Sequence, residues 1–133
     1  FCPEDGCASR IVSEIKSARR SVYFMTFTFT NKDIASALIS KKEIDIKGIF
    51  DAGQAGSNFS QLERLSGMGM NVKKDTNKYK MHHKVFIIDN ETVVTGSFNP
   101  TASAENKNDE NIIIIKDKTI AGSFLKEFDS LWG

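Results

Sequence analysis

Residues 81–99, MHHKVFIIDNETVVTGSFN, hold both histidines of this chain and decide how the rest of it is read. Val85–Ile88 and Thr92–Thr95 are apolar or β-branched runs on either side of Asp89-Asn90-Glu91, which is a hairpin pattern. A turn centred on Asn90 and Glu91 predicts that His82 lies opposite Asn99 and Lys84 opposite Ser97. Opposed residues project from one face, and so do residues two apart. His82, Lys84, Ser97 and Asn99 would then form a polar square at the far end of the hairpin, with His83 pointing the other way. On the face of the square Phe86 and Ile88 would meet Thr95 and Val93, with Val85, Ile87 and Val94 behind. Both faces want cover, so the square needs hydrogen-bonding partners or a ligand. Gly96 between its members lets backbone or ligand come close. Imidazole, ammonium, hydroxyl and carboxamide, with no acid beside them, suit an anion, and phosphate above all.

Working outward, residues 7–20 space Ile11, Val12, Ile15 and Ala18 at helical intervals, and 21–30 read as a buried strand. Thr30 or Asn31 can cap a helix through Lys41, followed by a strand at 44–51 and a glycine-rich turn. Ser60 and Glu63 have capping-box spacing in a short helix ending at Gly67 or Gly69. A short strand near Val72 precedes the hairpin. A strand at ENIIIIKD follows it, and then a helix from Thr119 with Ala121, Phe124, Leu125, Phe128 and Trp132 on one stripe. The pattern predicts a single α/β domain over 1–133, with a mixed central β-sheet sandwiched between helices (α-β-α).

The chain has 133 residues, 40% hydrophobic and 26% charged, which excludes a disordered class. No apolar run is long enough to span a bilayer, so no stable membrane insertion of these residues is expected. Net charge is only +1, and any pull on polyanions must come from local clustering. Lys73, Lys74, Lys78, Lys80 and Lys84 crowd into one such cluster, with Tyr79 among them. A chain beginning at Phe1 reads as a processed or trimmed product. That leaves periplasmic, secreted, membrane-anchored and cytoplasmic settings open. Cys2 and Cys7 form either a local disulfide or two free thiols. A zinc site of Cys2, Cys7, His82 and His83 is disfavoured, because neighbouring strand residues point to opposite faces.

The spacing His82-x-Lys84-x4-Asp89-x6-Gly96-Ser97-x-Asn99 resembles, without a departure, the H-x-K-x4-D-x6-G-S-x-N signature of the phospholipase D superfamily. At residue frequencies of a few per cent, six such identities meet by chance about once in a million chains of this length. The flanking order of helices and strands is similar too, closest to the short single-motif endonuclease branch.

The resemblance implies that His82 is the nucleophile and forms a phosphohistidine. Lys84 and Asn99 would bind the non-bridging phosphate oxygens, supported by Ser97. Asp89, of opposite parity and beside the turn, is taken as structural, like Gly96. The carboxylate that holds the imidazole in one tautomer is by resemblance Glu110, with Glu105 as second choice.

Displacement at a phosphodiester needs one neutral and one protonated imidazole. With one motif per chain, the family pattern implies a homodimer with its active site at the interface and His82 of each copy in the two roles. No metal and no cofactor is expected, since lysine, asparagine and imidazolium neutralise the phosphate; a metal route through Asp51 is the lesser choice. Lys73, Lys74, Lys78 and Lys80 are candidate nucleic-acid contacts. The first reading is a phosphodiester hydrolase, a metal-independent endonuclease of low specificity acting on single- or double-stranded DNA and also RNA. The alternatives are a phospholipase or cardiolipin hydrolase, for which no obvious docking surface is visible in the sequence, and a non-catalytic nucleic-acid-binding module.

Overall fold

Strands whose side chains are apolar on both faces need cover from two sides, and the fold supplies it. The computed structural model describes residues 1–133. Helix α1 (Cys7–Ser17) leads into β1 (Ser21–Thr26), α2 (Lys32–Ser40), β2 (Asp45–Phe50), and two short helices, α3 (Ala52–Ala55) and α4 (Leu62–Gly67). Then come β3 (Asn71–Lys74), β4 (Lys84–Ile88), β5 (Thr92–Gly96), α5 (Ala102–Asn106), β6 (Ile112–Lys116) and α6 (Lys118–Trp132). The six strands form one sheet in the order β3-β2-β1-β4-β5-β6. Pairing is parallel from β3 to β1 and antiparallel from β1 to β6, a mixed sheet as expected.

Alternation sends Val22, Phe24, Phe86, Ile88 and Val94 to one face, where they pack with Ile11 and Ile15 of α1 and Ile34 and Leu38 of α2. The other face, Met25, Ile49, Val85, Ile87 and Val93, is sealed by Ala121 and Phe128 of α6. Phe24 is fully buried and meets Phe29, Phe50 and Phe86 at centroid distances of 5.6–5.7 Å. Such aromatic contacts add about 0.5–1.5 kcal/mol each beyond area burial. Gly48 on the neighbouring strand makes room for that ring: a Cβ there would sit 2.0 Å from Phe24 Cζ.

The hairpin register differs from the expected one by a residue. Asp89 and Asn90 both take left-handed backbone, at φ 54° and 56°, and Glu91 N–H donates to the Ile88 carbonyl. Glu91 is thereby an extra residue in the connection, so Ile88 pairs with Thr92 and Phe86 with Val94. The predicted pairs His82–Asn99 and Lys84–Ser97 do not form, and Val94, not Val93 or Thr95, shares the Phe86 face. Asp89 holds the turn in this form by accepting the backbone N–H groups of Arg19, Arg20 and Ser21. The same bonds end α1 before Arg19. They also keep the Asp89 carboxyl below its usual range despite the opposing effect of partial burial.

Four other local features differ from the expectation. β1 ends at Thr26, one residue before a last bond from Phe27 N–H to the His83 carbonyl, and Phe29 folds back to stack on Phe50. The expected turn after Asp51 contains α3, with the Asp51 side chain capping Gln54 N–H. The Ser60 capping box is not made, since Gln61 occupies the N-cap. α5 was not foreseen, although Thr101 caps it through Ala104 N–H.

Candidate active site

The exit of β1, the entry of β4, the exit of β5 and the entry of β6 all fall at one end of the sheet, because these four strands are successive antiparallel neighbours. Phe27, His82, Lys84, Ser97 and Glu110 occupy those four points. His82 is exposed and rests on the Phe27 ring at a centroid distance of 4.5 Å. The Lys84 ammonium lies 3.2 Å from His82 Nδ1, 2.9 Å from the His82 carbonyl and 5.5 Å from the centre of Phe27. Lys80 reaches the same ring, at 5.8 Å. Phe27, by sequence one more apolar residue of the 21–30 strand, is thus an aromatic floor under two cations and the imidazole.

Partial burial holds the Lys84 ammonium below the ordinary lysine range, and the Glu110 charge draws it part of the way back. Glu110 Oε1 accepts the Ser97 hydroxyl at 3.0 Å, and Ser97 Oγ in turn accepts Asn111 N–H at 3.1 Å. Ser97 therefore joins the site through Glu110 and not through cross-strand pairing with Lys84. Gly96 makes this approach feasible: at φ 152°, a Cβ there would lie 2.2 Å from the Asn111 carbonyl oxygen. The expected contact of Glu110 with His82 is not made within one chain, where the polar neighbour of the ring is Lys84. Glu105, the second choice, is engaged elsewhere and accepts Ala8 N–H at 2.8 Å. Asn99 hydrogen-bonds neither His82 nor Lys84, and its Oδ1 is buried without a partner.

His83 points to the opposite side, as parity predicts, and its Nε2 lies 3.1 Å from Glu127 Oε1 on α6. Cys2 and Cys7 are joined in a disulfide, so neither thiol is a zinc ligand. Asp51 is buried and accepts Gln54 N–H and Met81 N–H. Asp75 is likewise buried, accepting Ala52 N–H and Asn77 N–H. These two carboxylates staple the segment between β3 and β4 to the end of β2 and so set where His82 begins. They were legible only as acids after strands.

The lysine cluster divides. Lys78 stacks on the exposed Tyr79 at 5.1 Å, Lys80 stands over Phe27, and Lys74 is exposed at the end of β3. Lys73 turns the other way, donating to the Trp132 carbonyl and lying 4.7 Å over its indole, so it is no part of the same surface. The His82 set shares no residue with the depression between α1 and α2.

A family model described as cardiolipin synthase, PLD-like domain, matches residues 11–132. The chain is 36% identical over 132 residues to phospholipase D of Rickettsia prowazekii strain Madrid E, covering 98% of this chain and 64% of that one. It is 34% identical over 136 residues to the mitochondrial cardiolipin hydrolase of Xenopus laevis, covering 98% and 65%. The chain thus spans about 65% of the length of these curated relatives. The crystal structure of the phospholipase D family member Nuc from Salmonella typhimurium superposes with a TM-score of 0.94 at 35% identity, covering 98% of this chain and 90% of that one.

Proposed function

This chain belongs to the phospholipase D-like family, and from that premise we propose that it hydrolyses phosphodiesters through a phosphohistidine on His82, in a site that two copies of the chain complete together. The observation that carries the reading is the exposed imidazole with an ammonium 3.2 Å away, inside an unbroken motif. The other imidazole of the chain is committed to Glu127 on the opposite side of the sheet.

An ammonium only donates, so a neutral His82 ring in contact with Lys84 accepts at Nδ1 and keeps its proton on Nε2. An incoming phosphate draws Lys84 onto a non-bridging oxygen and releases the ring. Asn99 adds a neutral donor, Ser97 holds the Glu110 carboxylate in place, and Glu110 keeps Lys84 charged. One His82 attacks phosphorus; the leaving oxygen takes its proton from His82 of the second copy, which then activates water against the phosphohistidine. Cationic side chains carry the charge stabilisation, so no metal is required. Asp51 is spent on backbone N–H groups, which speaks against a metal route through it.

DNA is the first choice of substrate, with RNA also accepted. Lys74, Lys78, Lys80 and the 76%-exposed Tyr79 border the site and suit a phosphate backbone with unstacked bases. A lipid phosphodiester is the second reading. The names of the curated relatives favour it, as do Phe1 and Phe59, both 77% exposed on loops beside that end of the sheet. The deciding experiment is rapid quenching with DNA and, separately, with anionic lipid vesicles. Acid-labile phosphoryl label on His82 supports the mechanism, and the substrate that yields it identifies the class. A turnover that leaves no label on His82 contradicts the reading.

A further inference from the structure

The Cys2–Cys7 disulfide reaches the site through one backbone bridge. Cys2 N–H donates to the Glu110 carbonyl at 2.9 Å and Glu110 N–H donates to the Cys2 carbonyl at 3.1 Å, an isolated antiparallel pair outside the sheet. Apart from this bridge the Glu110 main chain is held through its neighbour Asn111, whose N–H donates to Ser97 Oγ and whose carbonyl accepts Ser97 N–H; on its other side residues 106–109 are exposed, and β6 begins only at Ile112. The other end of this loop is tied to the same N-terminal segment, because Glu105 accepts Ala8 N–H, next to Cys7.

Residues 3–5 are exposed, and the hydrogen bonds of Phe1 run to Asp5 within the same segment. A two-bond bridge outside the sheet opens readily unless something else holds the segment in place. Here the disulfide does, with both cysteines 1% exposed beneath it.

We propose that the Cys2–Cys7 disulfide is a thiol-sensitive clamp that positions Glu110, so that catalytic power depends on the oxidised pair. This rests on the phosphodiesterase reading above. A dithiol reductant supplies two electrons and two protons: the Sγ–Sγ bond breaks, two thiols form, and the dithiol leaves as its cyclic disulfide. Cys2 then leaves Glu110, the carboxylate loses its fixed place at Ser97, and its charge no longer steadies Lys84. Cys2 acts through Glu110 and touches no substrate, so it is a positioning residue.

The experiment compares three samples: oxidised protein, protein reduced with dithiothreitol to two counted thiols, and the same protein reoxidised. Each is read by kcat and KM on a DNA oligonucleotide and by hydrogen exchange of the Glu110 amide. Reduction is expected to lower kcat about ten- to a hundredfold, the range for loss of a supporting contact, with little change in KM. It is also expected to speed exchange at Glu110, and reoxidation to reverse both. Cys2→Ala/Cys7→Ala, assayed at a temperature where circular dichroism reports it folded, should match the reduced form; if it does not fold, the reduced wild type decides. Unchanged kcat and unchanged Glu110 exchange in fully reduced protein would overturn the clamp. An oxidised protein that cleaves no diester sinks the enzymatic reading instead, while the exchange measurement still judges the clamp.

Discussion

Lys84 sets its ammonium 3.2 Å from Nδ1 of His82, and both groups share the face of Phe27. The pair is preformed in the free protein, and on the proposed mechanism the cation rests on the nucleophile until phosphate takes it. His82→Asn should lower kcat by about 10⁴-fold or more, while binding of DNA and the melting temperature barely change. Lys84→Met should cost about 10²–10³-fold, as for a lost charge-stabilising donor. His83→Asn should stay within a few-fold of wild type. Steady-state kinetics with a filter-binding assay separates the three.

Phe27→Leu keeps an apolar side chain but removes the ring face. With two ammonium groups over that ring, each worth about 0.5–1 kcal/mol at such exposure, substrate turnover should fall about five- to thirtyfold. An unchanged kcat/KM would show that the floor is incidental.

Salt dependence discriminates among the lysines. Each lysine that meets a phosphate steepens the decline of log affinity with log salt by about 0.7–0.9. Replacing Lys78 or Lys80 with Gln should reduce the slope by roughly that amount. Lys73→Gln should leave the slope alone and lower stability instead, because its ammonium is bound at Trp132. Binding isotherms at several salt concentrations measure both.

Tyr23 offers a pH test of the fold remote from the site. Burial, then the hydrogen bond to Asp45 and the charges of Asp45 and Asp129, push its phenol from 10.0 up to about 12. The folded chain holds this proton more tightly than the unfolded one. Its stabilisation is therefore complete below pH 10.0 and is lost as pH rises toward about 12. Denaturant titrations from pH 9 upward should show wild type losing stability over that window and Tyr23→Phe losing distinctly less.

Most of the architecture was legible from periodicity, because strands covered on both faces and helices with one apolar stripe leave strong patterns in Val85–Ile88, Ile112–Ile115 and the Phe128 helix. The motif singled out His82 and Lys84, whose side chains meet at 3.2 Å, and strand parity put His83 on the other side. The register failed for a local reason: the left-handed pair Asp89-Asn90 is imposed by bonds to Arg19–Ser21, residues far away in sequence. The same holds for what positions the site. Asp51 bonding Met81, Phe27 under His82 and Cys2 against Glu110 are each long-range contacts with no short-range signature.

The claim on which the rest depends is that two chains share one catalytic centre, and subunit mixing tests it most directly. Wild type is equilibrated with increasing His82→Asn at constant total protein, and activity is followed against the wild-type fraction. If every productive site needs His82 from both copies, activity falls as the square of that fraction, to about a quarter at equal mixing. A linear fall, to about half, would mean that each chain works alone and would contradict the account.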